Sequence, residues 1–312
     1  MLGGNPPIGA PAQVETAGLT DLGAAVPLHT PPSATATSWC PRRYRLHAVA
    51  FLTSPDGVRL HYELEGDGPP LVLHLGAGAD ANLWREAGYV EQLSRHQTCV
   101  LFDHRGHGLS DHPATRQANH LDRYADDVVA LVRHLGRKQV SFFGWSNAVS
   151  VGIRVAQLHS NLFDRMVLFG ALGRRATPEQ IERATVTRLA EIQARGWHSI
   201  LDDMEAAEKY PVPKWFIERV VATDLGPWIA FTEARLDWNW SVWDAAPAVP
   251  TPALLIAGEL EDPEDIVGEL AAKMPHATRI RIPDREHINA FLYSQFVAPL
   301  VLDFLEAKAP TG

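Results

Sequence analysis

The sequence predicts an α/β protein: a mainly parallel sheet flanked by helices and interrupted by an inserted helical segment. Three observations carry that expectation. From about residue 47, short β-rich runs alternate with longer stretches of helical periodicity, the pattern of strands whose connections cross back over a sheet. Six of the runs read as buried strands, and parallel neighbours need crossover helices between them. Between Gly173 and Thr251, by contrast, no strand-like run occurs.

The elements follow in order. Ala48–Thr53 and Val58–Leu64 flank the turn residues Pro55-Asp56-Gly57 and predict a hairpin. Buried strands are expected at Leu71–His74, Thr98–Phe102, Gln139–Phe143, Arg165–Phe169, Ala253–Gly258 and Thr278–Ile282. Helices are expected at Ala81–Ser94, Asp122–Leu135, Ala148–His159, Pro263–Met274 and Ala290–Lys308. In the second of these Leu121, Tyr124, Val128, Val132 and Leu135 share one stripe. The strandless interval opens with Thr177-Pro178-Glu179-Gln180, an N-cap threonine, a first-turn proline and the third-position Gln of a capping box. It reads as a helical lid over residues 174–247, inserted in a core of residues 46–173 and 248–312.

Residues 1–45 carry seven prolines and few charges, too little burial to offset ordering entropy, and are expected to form an unstructured tail. The start Met1-Leu2-Gly3-Gly4-Asn5-Pro6-Pro7 has neither the basic residues nor the apolar stretch of a secretory signal.

Composition excludes several classes of function. With 28 Lys+Arg against 37 Asp+Glu and a net charge of −9, and no basic block, the chain lacks the electrostatic footprint for nucleic acid or an anionic bilayer. Its longest apolar runs, such as Ala253–Ala257, fall well short of the ~18 residues of a membrane span. Cys40 and Cys99 have no neighbouring thiol and no zinc-site spacing, so neither a disulfide nor a metal site is expected and a reducing, cytoplasmic location is. The loop Gly76-Ala77-Gly78 lacks both the GxGxxG pattern and the P-loop lysine, which argues against phosphate binding. The oligomeric state has no signature in the sequence.

Chemistry concentrates at one turn. Gln139–Phe143 meets Gly144-Trp145-Ser146-Asn147-Ala148 and then a helical stretch. A strand, a small-x-Ser-x-small turn and a helix leave the serine hydroxyl exposed on a strained backbone, so Ser146 is the candidate nucleophile. A serine hydroxyl needs a base to take its proton, and acyl transfer needs donors aimed at the developing oxyanion.

These residues, with Leu71–Gly78 and Trp84, the run Asp103-His104-Arg105-Gly106-His107-Gly108-Leu109-Ser110, the run Ala257-Gly258-Glu259-Leu260-Glu261-Asp262-Pro263, and Glu286-His287, resemble the α/β-hydrolase superfamily in its own order over about residues 48–308. Within it the chain is most similar to the lid-bearing esterase, lactonase and C–C hydrolase group. The resemblance implies the α/β-hydrolase fold, no cofactor, and a Ser-acid-His order that makes His287 the base. It implies an acid after the next-to-last strand: counting from Gly258 favours Glu261, whereas the Asp-Pro match and the chemistry of the family favour Asp262, which is slightly preferred. The oxyanion donors are expected to be the amides of Ala77, with Gly76 as alternative, and Asn147. Asp103, His104 and His107 fall in the family's Arg-Gly-His-Gly turn and read as structural rather than as a metal site.

Six of the nine tryptophans fall in the insertion: Trp197, Trp215, Trp228, Trp238, Trp240 and Trp243. They pack the lid onto the core or line an apolar pocket; Trp145, Trp238 and Trp240 are the candidate pocket residues. The expected activity is hydrolysis of a small or medium apolar ester or lactone by a serine hydrolase. The alternatives are C–C or amide cleavage on the same fold, and a ligand-binding member without useful turnover.

Overall fold

In the computed structural model, which describes residues 47–170 and 175–307, eight strands form one sheet in the order β1-β2-β4-β3-β5-β6-β7-β8. The strands are β1 (His47–Thr53), β2 (Arg59–Glu65), β3 (Pro70–His74), β4 (Thr98–Asp103), β5 (Val140–Trp145), β6 (Phe163–Phe169), β7 (Ala253–Gly258) and β8 (Ala277–Ile282). β1 and β2 are the predicted hairpin and pair antiparallel, as β2 does with β4. From β4 to β8 every pairing is parallel. The expected tail over residues 1–45, with Cys40, lies outside the described residues. Cys99 is buried and free.

Strand periodicity sorts the core into two layers. Val72, Val100, Phe142, Leu168 and Leu255 face one layer, while Leu73, Leu101, Phe143, Val167 and Ile256, each one position away, face the other. The first is covered by α3 (Leu121–His134) and α4 (Ala148–Leu158) and the second by α1 (Asn82–Glu86) and α2 (Tyr89–Leu93). The predicted stripe of α3 is buried at Leu121, Tyr124, Val128 and Val132.

Between β6 and β7 lies the helical insertion: α5 (Pro178–Arg195), α6 (Trp197–Ala207), α7 (Lys214–Val221), α8 (Leu225–Ala234) and the short α9 (Val242–Ala245). The capping box is present, with the Thr177 amide donating to Gln180 Oε1 at 2.8 Å and the Gln180 amide to Thr177 Oγ1 at 3.3 Å. The insertion docks through α8: a Cβ at Gly78 would lie 2.3 Å from the Trp228 ring, and one at Gly106 would lie 2.5 Å from Pro227. Arg219 on α7 adds ion pairs to Asp80 and Glu86 of the core.

Three helices differ from expectation at identifiable breaks. The predicted Ala81–Ser94 helix is α1 and α2, separated where Gly88 takes φ 83°. The predicted Ala290–Lys308 helix is α11 (His287–Phe291) and α12 (Ser294–Glu306), separated at Tyr293, which leaves helical geometry with ψ 43°. The predicted Pro263–Met274 helix shortens to α10 (Ile266–Ala271) because Asp265, at φ 56°, caps it by accepting from the Gly268 amide. Among the described residues no helix is long and apolar enough to cross a membrane.

A buried polar knot holds the turn after β4. Arg105, fully buried, donates to both carboxylate oxygens of buried Asp127 at 2.6 and 2.7 Å and to Asp56 at 2.8 Å. Asp103 accepts from the amides of Ala81 at 2.7 Å and Leu109 at 2.9 Å and pairs with His61 at 2.8 Å. Burial alone would raise its pKa; the His61 contact and the two amides outweigh that and hold it below the ordinary carboxylate value. Asp103 is thus a fastener between loops.

Candidate active site

Ser146 sits between the last residue of β5 and the start of α4, in left-handed backbone geometry at φ 61°. For an L-residue with a β-carbon this geometry costs roughly 1–2 kcal/mol, and the surroundings enforce it. The Ser146 amide donates to Phe169 O of β6 at 2.8 Å, and its carbonyl accepts from Val149 at 3.0 Å at the opening of α4. The turn ahead of α4 thereby lifts the hydroxyl off the carboxyl end of the sheet.

His287 opens α11, after β8. Its ring stacks on Trp145 at a centroid distance of 4.8 Å and 16° between planes, and Trp145 in turn stacks on Phe291 at 4.2 Å. Behind it the chain passes at Gly170, where a Cβ would lie 2.6 Å from the imidazole Cε1 and Nδ1; only a residue without a side chain lets the ring sit there. His287 Nδ1 lies 2.8 Å from Glu261 Oε1. Burial works against the charged imidazole, but the carboxylates of Glu261 and, from the insertion, Glu208 outweigh it and raise the His287 pKa above its ordinary value.

Of the two adjacent candidate acids, the structure brings Glu261 to His287 and turns Asp262 away. The Asp262 carboxylate accepts from the Ile266 amide at 2.7 Å and the Val267 amide at 3.1 Å, so it fastens the start of α10 instead. The preference for Asp262 is therefore corrected in geometry: the turn after β7, closed by the Asp262 amide on Gly258 O at 3.1 Å, directs that carboxylate into the core, where the residue is 4% exposed.

The loop after β3 approaches Ser146 because β3 and β5 are neighbours. A Cβ at Gly76 would lie 2.6 Å from Ser146 Cβ and 3.0 Å from the Asn147 nitrogen. Ala77 and Asn147, the two expected donors, line one small cavity of about 10 Å³ together with His74, His104 and Trp228. Neither the Ala77 nor the Asn147 amide donates a hydrogen bond among the described residues. The Gly78 amide, by contrast, is held by His107 Nε2 at 2.9 Å.

His74, His104 and His107 form a buried stack, with ring centroids 5.0 Å and 3.9 Å apart. Burial keeps them neutral, lowering His74 and His107 to about 4 and His104 well below its ordinary value. Since His107 accepts at Nε2 and His74 faces the Leu75 carbonyl at 2.7 Å through Nδ1, the stack shapes the loop by hydrogen bonding. Among the described residues no group of three His, Cys, Asp or Glu side chains is placed to hold a metal.

Of the candidate pocket residues, Trp145 is at the site and Trp238 and Trp240 are not. Both wall a separate groove of about 1100 Å³, together with Arg116, Arg154 and Arg175. Trp240 Nε1 donates to Gln157 near the end of α4 at 2.8 Å, and Trp238 packs on Phe231. The segment after α8 returns over α4 rather than over the Ser146 turn, which removes these two rings from the site. Trp228, one of the six insertion tryptophans but not among the candidate pocket residues, and Gly170 and Glu208, which the sequence did not single out, are at the site through contacts more than twenty residues apart in the chain. No local pattern marks them.

Comparison with known proteins bears on the fold. A family model described as alpha/beta hydrolase fold matches residues 69–214. The (E)-2-((N-methylformamido)methylene)succinate hydrolase of Acinetobacter baylyi is 24% identical over 250 residues, covering 73% of this chain and 87% of that one. Several other relatives are matched over less than half of their own length: serine hydrolase BPHL of Homo sapiens is 32% identical over 134 residues, 40% of this chain and 46% of its own. Among solved structures, the enol-lactonase from Burkholderia xenovorans LB400 superposes with a TM-score of 0.72 at 24% identity, over 83% of this chain and all of that one.

Proposed function

The chain belongs to the α/β-hydrolase superfamily, and from that premise we propose that it is a cofactor-free serine hydrolase cleaving a small to medium apolar carboxylic ester or lactone. The observation that carries the reading is the 2.8 Å contact between His287 Nδ1 and Glu261, on a ring stacked beside the residue that precedes Ser146. With the Nδ1 proton donated to Glu261, Nε2 keeps its lone pair and is the base.

In the proposed reaction Ser146 Oγ attacks the carbonyl carbon as His287 Nε2 takes its proton, and the resulting imidazolium is stabilised by Glu261. The amides of Ala77 and Asn147 donate to the oxyanion, each worth roughly 3 kcal/mol in such sites. Collapse expels the alcohol, which receives the proton from His287. Water, activated by the same nitrogen, then releases the acid and restores Ser146. Among the described residues the hydrogen bond of the His287 ring is the one to Glu261; catalytic contacts to a serine hydroxyl are often long without substrate and tighten in the substrate complex. The insertion acts as the lid, with Trp228 over the oxyanion loop.

A second reading keeps the machinery and changes the bond to an amide or C–C bond. It is favoured by the likeness to the succinate derivative hydrolase of Acinetobacter baylyi. Hydrolysis of p-nitrophenyl esters and of lactones and amides, beside Ser146→Ala and with a fluorophosphonate probe, tests both. Ester or lactone turnover and labelling, both abolished in Ser146→Ala, are expected. Labelling with turnover confined to amides or C–C substrates selects the second reading, and tight ligand binding without labelling makes the chain a non-catalytic member.

A further inference from the structure

The helix that carries His287 is capped from outside its own segment. A helix start normally takes its cap from the residue just before it, yet Glu286 in that position makes no capping bond to α11. The cap comes instead from Glu208, where the chain leaves α6 in extended geometry. Its Oε1 accepts from the Ile288 amide at 2.7 Å, and its Oε2 accepts from the Asn289 amide at 3.1 Å and from Asn289 Nδ2 at 2.7 Å. Asn289 Nδ2 also donates to Tyr210 O at 3.1 Å. Next to this clasp Lys209 and Tyr210 both hold Asp284 of the turn before α11.

We propose that Glu208 is a positioning residue for His287, fixing the imidazole-bearing turn only while the lid is docked, so that lid closure completes the catalytic base. This rests on the assignment of His287 as the base of a serine hydrolase. The two donors that follow His287 in the chain are tied to the lid by one carboxylate, so lifting the lid frees the turn and withdraws a negative charge from the imidazolium. The other charged groups near this turn are Glu261 from the loop after β7, paired with the ring, Arg285 and Glu286, which precede His287 in the chain, and the Lys209–Asp284 pair beside the clasp. Glu208 is the lid's contribution to the raised His287 pKa. Because Glu208 raises that pKa, removing its charge lets the imidazole lose its proton at lower pH.

Glu208→Gln in the full-length protein is the test. Its kcat is expected to fall about 10- to 100-fold, the size of effect that misplacing a catalytic group by an ångström produces, while the acid limb of kcat/KM moves to lower pH. Asn289→Ala, which loosens the clasp but keeps the charge, lowers kcat and leaves the limb in place. An NMR titration of His287, identified by its absence in His287→Ala, needs no substrate and moves to lower pH in Glu208→Gln. That readout holds even if Ser146 proves unreactive, which would sink the hydrolase reading alone. A Glu208→Gln protein that melts at lower temperature but keeps the native His287 titration and kcat makes Glu208 a purely structural cap and overturns the proposal.

Discussion

Replacing Glu261 by Gln removes a negative charge 2.8 Å from His287 Nδ1 and leaves the side-chain volume nearly unchanged. The two side chains are 24% and 19% exposed, a setting in which an effective dielectric of about 20 applies. Charges about 4 Å apart then attract by about 4 kcal/mol, and at about 1.36 kcal/mol per tenfold in rate this corresponds to about three decades. The Gln amide can also present its NH2 to the ring and select the tautomer whose Nε2 carries the proton, which adds to the loss. The expected result is a fall of about a thousandfold in kcat/KM on an activated ester, with a melting temperature near that of the unsubstituted protein. Asp262→Asn is its counterpart. It weakens the carboxylate that fastens α10 through two amides, so it should cost about 1–2 kcal/mol of stability, the scale of a lost cap, and change kcat by less than about threefold. Full activity in Glu261→Gln beside a dead but stable Asp262→Asn would refute the assignment.

Two further outcomes follow from the buried groups. His74 and His107 have folded pKa values lowered to about 4 from an ordinary 6.5, so the unfolded chain binds more protons between those values and stability falls as pH drops from about 6.5 toward 4; the melting temperature followed over that range should decline, and less steeply in His74→Phe. Arg105→Met leaves the fully buried Asp127 carboxylate without its cation and should cost about 3–5 kcal/mol in urea denaturation, whereas a loss under 1 kcal/mol would show that Ser54 and water suffice for Asp127.

Much of the frame was legible because it is local. The strands, the hairpin and the Thr177 capping box depend on residues within a few positions of one another, and so does the motif that marks the Ser146 turn, although β6 helps to hold its geometry. The breaks at Gly88 and Tyr293 were not, since the apolar periodicity runs on across them while the packing surfaces change direction. Which of Glu261 and Asp262 meets His287 depends on how one turn winds against α10, a matter of two backbone amides that adjacent carboxylates compete for. Trp238 and Trp240 carried the right composition for a pocket, yet their position follows from the return path over α4. Glu208 is eighty residues from the amides it holds, and a lone acidic residue at a helix end looks like any solvated one.

The order β4-β3-β5 has a consequence beyond placing the loop after β3 beside Ser146. The chain leaves β3 for a neighbour on one side, β4, and then returns past it to β5 on the other, so the connections diverge and a crevice opens at the carboxyl ends of β3 and β5. Residues 75–78 and 145–147 bound that crevice, outside the regular strand pairing save Trp145. The proposed reacting groups therefore occupy a gap made by the wiring of the sheet rather than by any side chain of the core. Loop residues there are free to vary the chemistry while the strands beneath keep the gap open.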